Sequence, residues 1–102
     1  MLKYRLYAWW TKFTFNVTVV KFSITTLRDL NFIEDQLKYL TNPDFLKKIV
    51  VSLRKSQQLF RKWRKHIYPF VWNTIVQKTI QKTFHLILEI EDRIERLEGK
   101  QV

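Results

Sequence analysis

Three pairs of basic residues, Lys47-Lys48, Arg54-Lys55 and Arg61-Lys62, recur at an interval of seven, and Arg64 and Lys65 extend the series. On a helix that interval returns each pair to the same face, roughly 10 Å further along the axis. Lys and Arg at such a pitch can neutralise successive phosphates of a nucleic acid and release the condensed counterions. From Phe45 to Leu88 there are ten Lys and Arg and no acid, whereas a solvated helix face ordinarily interleaves the two signs. These eight residues are therefore the expected phosphate contacts. Aromatic residues gather beside them, with Phe60, Trp63, Tyr68, Phe70 and Trp72 set among Arg61, Lys62, Arg64, Lys65 and His66. Such mixtures can stack bases while holding phosphates. Phe60 and Trp63 fall in the apolar seam of their own helix and read as core, which leaves Tyr68 and Trp72 as the expected aromatic contacts.

Catalytic chemistry finds little support. His66 has no acid near it in sequence, and His85 with Glu89, one helical turn apart, supplies two metal ligands where a site needs at least a third. Gly99 is the only glycine, so a Gly-rich phosphate loop is excluded, and the absence of Cys excludes disulfides, thiolate metal sites and Cys nucleophiles while fitting a reducing compartment. No catalytic residue, metal, cofactor or small-molecule substrate is expected. Asn16-Val17-Thr18 has the form of a glycosylation acceptor but, without a secretion signal, reads as chance.

The elements that must position the basic stripe follow from composition and periodicity. One Gly and two Pro in 102 residues supply too few tight turns for a sheet-rich fold, so the chain is expected to be mainly α and a single domain. Asn73, Val76, Ile80, Thr83, Ile87, Ile90, Ile94 and Leu97 alternate steps of three and four, a coiled-coil-like seam in which Asn73 is the kind of polar insert that sets register. A second seam, Leu46, Ile49, Leu53, Ser56, Phe60, Trp63 and Ile67, precedes it. Asn42-Pro43-Asp44 reads as an N-cap, a first helical residue and a first-turn acid. The expected elements are a short helix over 27–41, a basic helix over 43–67 and a heptad helix over 70–98. At Pro69 a turn is favoured over a kink, which makes the last two helices an antiparallel hairpin. Folding about Tyr68 would bring Glu89 and Glu91 near Lys47 and Lys48, and Lys78 and Lys82 beside the Arg54 to Lys65 portion, leaving half the stripe unpaired.

Residues 1–26 fit two templates. Phe13, Phe15, Val17 and Val19 alternate with polar residues as in a strand, while Leu2, Leu6, Trp9, Phe13, Val17, Val20, Ile24 and Leu27 make a helical stripe. The Thr and Val density favours an extended segment over about 12–25. Residues 1–28 carry five basic residues and no acid, though a cleavable organelle-targeting segment would favour Ser and Arg over Lys and aromatics. The run from Thr14 to Thr26 is too short to span a bilayer, and Lys21 interrupts it. Trp9 and Trp10 cannot both face one core from a strand, so one is expected to anchor an interface.

Two functions fit these features. One is a non-enzymatic assembly subunit that holds RNA or DNA phosphates on the stripe, in the cytoplasm, a virion-like particle or an organelle matrix, with a protein partner or a second copy on the heptad seam. The other is a scaffold subunit whose basic face docks on acidic protein or an anionic membrane surface. Membrane attachment is the weaker use, because the apolar face opposite the stripe reads as packing surface, unless residues 2–24 form an inserting helix.

Overall fold

A computed structural model describes residues 2–99, with side chains described from Tyr7 onward. The described residues are almost wholly helical and form a rod of 68 × 20 × 18 Å. Helix α1 spans Leu2–Gln36 and ends in a 3₁₀ turn, Leu37–Tyr39. Helix α2 spans Pro43–Trp63 and ends in a second 3₁₀ turn, Arg64–His66. A single turn α3, Pro69–Val71, a π turn, Trp72–Val76, and helix α4, Gln77–Gly99, then follow one another without a break.

Local chemistry accounts for the boundaries. Asn42 accepts hydrogen bonds from the backbone N–H groups of Asp44 at 3.0 Å and Phe45 at 3.4 Å, with Pro43 at the first helical position, where its missing N–H costs nothing. At the other end of α2, Ile67 and Tyr68 are extended and Pro69 opens α3, so the chain turns there. Ion pairs Lys47–Glu98 and Arg54–Glu91 and the hydrogen bond Gln57–Thr83 show α4 running back along α2. Helix α1 lies against both: Asn16 meets His66 and Tyr68 at the corner, Glu34 pairs with Lys82, and Arg93 donates to the carbonyls of Lys38 and Leu40 near the far end.

The N-terminal segment is helical, where the Thr and Val density had favoured an extended one. No described residue offers a strand to pair with, so an extended segment would leave its backbone groups unmatched, whereas the helix matches them internally. Thr11, Thr14 and Thr18 return their hydroxyl groups to the carbonyls four residues back, at 2.8, 2.9 and 3.0 Å, so their polarity costs the helix little. The expected short helix over 27–41 is the tail of this same α1. Its core side is Asn16, Val19, Ser23 and Leu30, a different stripe from the one running through Trp9, Phe13 and Val17.

Along the seam, Val76 in the π turn and Thr83, Ile87 and Ile90 on α4 are buried, Ile80, Ile94 and Leu97 are half-buried, and Asn73 in the π turn is exposed. Asn73 therefore sets no register. The π turn is the reason: it places an extra residue in the turn, so Val71, five before Val76, takes the inward position. Thr79 and Leu86, outside the seam, are fully buried, because α4 faces two helices and needs a wider apolar face than a two-stranded coil. The buried polar link between α2 and α4 is the amide of Gln57, which donates to Thr83 at 2.9 Å.

Candidate nucleic-acid interface

Helix α2 presents the basic pairs on its outer side because its opposite side, Leu46, Val50, Leu53, Gln57 and Phe60, is buried. The pairs divide into two groups. Lys47 bonds Glu98 at 2.5 Å and Arg54 bonds Glu91 at 2.6 Å. The hydrogen bond and charge of Glu98 hold the Lys47 ammonium above the usual lysine range. By contrast, Lys48, Lys55, Arg61, Lys62, Arg64 and Lys65 are exposed and form no ion pair among the described residues.

The pairing register differs from the expected one. Glu89 bonds His85 instead of approaching Lys47 or Lys48, and Lys82 is taken by Glu34 of α1. The corner explains the shift, since a 3₁₀ turn rises about 2.0 Å and an extended residue about 3.3 Å, against about 1.5 Å in an α-helix. Residues 64–68 thus climb well past the end of α2 before the chain reverses, and each α2 residue meets α4 further along.

At the corner, Lys12 of α1 joins Arg61, Lys62, Arg64 and Lys65 around an open hollow of about 560 Å³ floored by Ile67 and Pro69. All nine acids lie between Asp29 and Asp44 or between Glu89 and Glu98. Those segments are held together at the far end by the Arg93 and Lys47 contacts. The corner half of the rod is therefore positive with no internal counter-charge, and like cations held this close repel one another. A polyanion would relieve that repulsion.

The aromatic candidates are placed less openly. Tyr68 is half-buried, with Phe70 stacked on it at 6.0 Å and the Lys12 ammonium 5.2 Å from its ring. Trp72 is half-buried beneath the Arg64 guanidinium at 4.9 Å. Both rings are already engaged by cations of the same chain. Phe60 and Trp63 are core, Phe60 being fully buried and edge-on to Trp63 at 6.1 Å.

Asn16 holds the corner shut. Its amide nitrogen donates to the carbonyls of Lys12 at 2.8 Å and His66 at 3.1 Å, and its oxygen accepts the Tyr68 backbone N–H at 2.8 Å. With Asn16 only 3% exposed, the amide is out of reach of a glycan. This clamp was visible in the sequence only as a polar residue in register with Val19, Ser23 and Leu30 on one helical face. Lys12 had no local signal at all. His85 and Glu89 are bonded to each other at 2.9 Å on an exposed face, and no third metal-ligating side chain joins them among the described residues.

Comparison with protein-family models, curated proteins and solved structures finds no match to this chain.

Proposed function

We propose that the chain is a non-enzymatic assembly subunit that holds the phosphates of a nucleic acid, RNA or DNA, at the corner and along the outward face of α2. The observation that carries this reading is the convergence of Lys12, Arg61, Lys62, Arg64 and Lys65 on one open hollow in a half-molecule without acids. Lys48 and Lys55 continue the track along α2. Lys47 and Arg54 serve the bundle instead, as partners of Glu98 and Glu91. The α2 and α4 seams act as an antiparallel, coiled-coil-like spine that keeps the cations at fixed spacing, and that leaves little of either seam for a second copy.

The engaged rings of Tyr68 and Trp72 favour contact through phosphates over stacking on bases, and therefore little sequence preference. The same observation favours a second reading, a scaffold that docks its corner on acidic protein. Binding of labelled RNA and duplex DNA across a salt series separates the two. On duplex DNA the slope of log affinity against log salt should be roughly −0.9 for each phosphate neutralised. Changing Arg61, Lys62, Arg64 and Lys65 to Gln should flatten that slope by about 3.6 units, while Arg54→Gln leaves it nearly unchanged. Weak binding, indifferent to the four changes, would transfer the corner to an acidic protein partner.

A further inference from the structure

Helices α2 and α4 each have one strongly apolar side, but α1 has none, because apolar residues run around most of its circumference. A helix of that kind expects cover on more than one side. The bundle covers one. Trp9, Trp10, Phe13, Val17 and Ile24 lie on the uncovered side, each between 38% and 58% exposed. Across an open, wholly apolar groove of about 310 Å³, Phe13, Val17 and Val20 face Tyr68, Phe70 and Val71, with Lys21 at the rim. Phe70 is itself 70% exposed. Asn16 is level with the corner, so about 20 Å of α1 runs on past it, and Tyr7, Trp9 and Trp10 stand there in the open.

Charge decides among the occupants of this face. No acid precedes Asp29, and Lys12 and Lys21 flank the apolar residues. A second copy fits poorly: an antiparallel pairing centred on the stripe sets Lys12 against Lys21, while a parallel pairing sets each of these cations against itself. Nucleic acid fits poorly as well, since Trp9 and Phe13 are stacked on each other at 5.4 Å and form a continuous apolar surface, not separate platforms for bases. Tryptophan, tyrosine and phenylalanine beside lysine, with no carboxylate, is the chemistry of a helix lying at the headgroup level of an anionic bilayer. We propose that the bare side of α1, together with Phe70, docks on an anionic lipid surface. The helix lies on the bilayer and does not cross it, as no described helix is long and apolar enough to span one. This face shares Lys12 with the corner hollow, but its apolar residues lie outside the basic track on α2, so substitutions confined to them test it apart from the nucleic-acid reading.

The test is co-sedimentation and tryptophan emission of the full chain with vesicles of phosphatidylcholine containing roughly one-third phosphatidylserine, beside vesicles of phosphatidylcholine alone. The wild-type chain should bind the anionic vesicles with a blue shift of emission and bind the neutral ones weakly. Phe13→Ser with Val17→Ser should weaken binding at least about tenfold, with RNA affinity unchanged. Trp10→Ser, in the part of α1 beyond the corner, should weaken it in the same sense without touching the packed helices. Equal vesicle binding by wild type and both variants would overturn the proposal. So would a wild-type dimer that the variants abolish in the absence of lipid binding, which would give the face to a second copy, or loss of RNA binding in the variants, which would give it to nucleic acid.

Discussion

At the far end of the rod Leu30, Leu46, Val50, Leu53, Leu86, Ile87 and Ile90 form one aliphatic cluster, ringed by Lys47–Glu98, Arg54–Glu91 and the Arg93 contacts to the carbonyls of Lys38 and Leu40. At the corner the buried cluster of Val19, Phe60, Ile67, Val71 and Val76 is wrapped in aromatic rings, with Phe22 at 5.6 Å from Phe60 and Phe15 edge-on to Trp63 at 5.8 Å. No carboxylate lies in the acid-free segments that build it. The far end carries both signs of charge and pairs several of them within the bundle, although Phe32, Tyr39, Phe45 and Val51 are exposed there. The corner carries one sign only, and both proposed contacts, phosphate on α2 and lipid on α1, fall beside those unpaired cations.

Four substitutions probe this contrast. The largest effect is expected at Phe60, fully buried beside the rings of Phe22 and Trp63: Phe60→Ala should cost about 3–5 kcal/mol in chemical denaturation. Leu86→Ala, its counterpart in the aliphatic cluster, should cost about 2–5 kcal/mol, and coincident transitions by tryptophan fluorescence and circular dichroism would show that the two clusters unfold together. A fluorescence transition that precedes loss of helix would show instead that the corner opens alone. Next is Asn16→Ala, which strands the His66 carbonyl and the Tyr68 N–H and should cost about 2 kcal/mol, with faster hydrogen exchange at Tyr68 as its local sign. The smallest effect has the opposite sign. The Ser23 hydroxyl is buried with no hydrogen-bond partner among the described residues, so Ser23→Ala should stabilise the fold by about 1 kcal/mol; a lower midpoint of unfolding would show that the hydroxyl has a partner in solution.

The helical character of the chain was legible in its shortage of Gly and Pro, and Asn42 carried cap chemistry that depends on three neighbouring residues only. The N-terminal segment was harder to read because its apolar residues satisfy both a period of two and a helical period. What decides between them is the absence of a pairing strand and the presence of two helices to lie on, neither of which is a local property. The outward half of the basic stripe follows from a spacing of seven. The loss of Lys47 and Arg54 to Glu98 and Glu91 depends on the length of the corner, and a corner's rise per residue is not written in any one residue type. Lys12 and Asn16 reach the site across about fifty positions of sequence, from Asn16 to His66 and Tyr68, so only the folded chain brings them there.

The separation of charge along a rod 68 Å long bears on how the molecule meets anything large and negative. At physiological ionic strength the screening length is about 8 Å, a small fraction of that length, so an approaching polyanion responds to the nearer end alone. The formal charge of +10 is then the wrong measure of its capture rate. A torque turns the corner forward before contact, while the acidic end trails, electrically silent, and sets which part of the molecule points away from the surface once it has arrived.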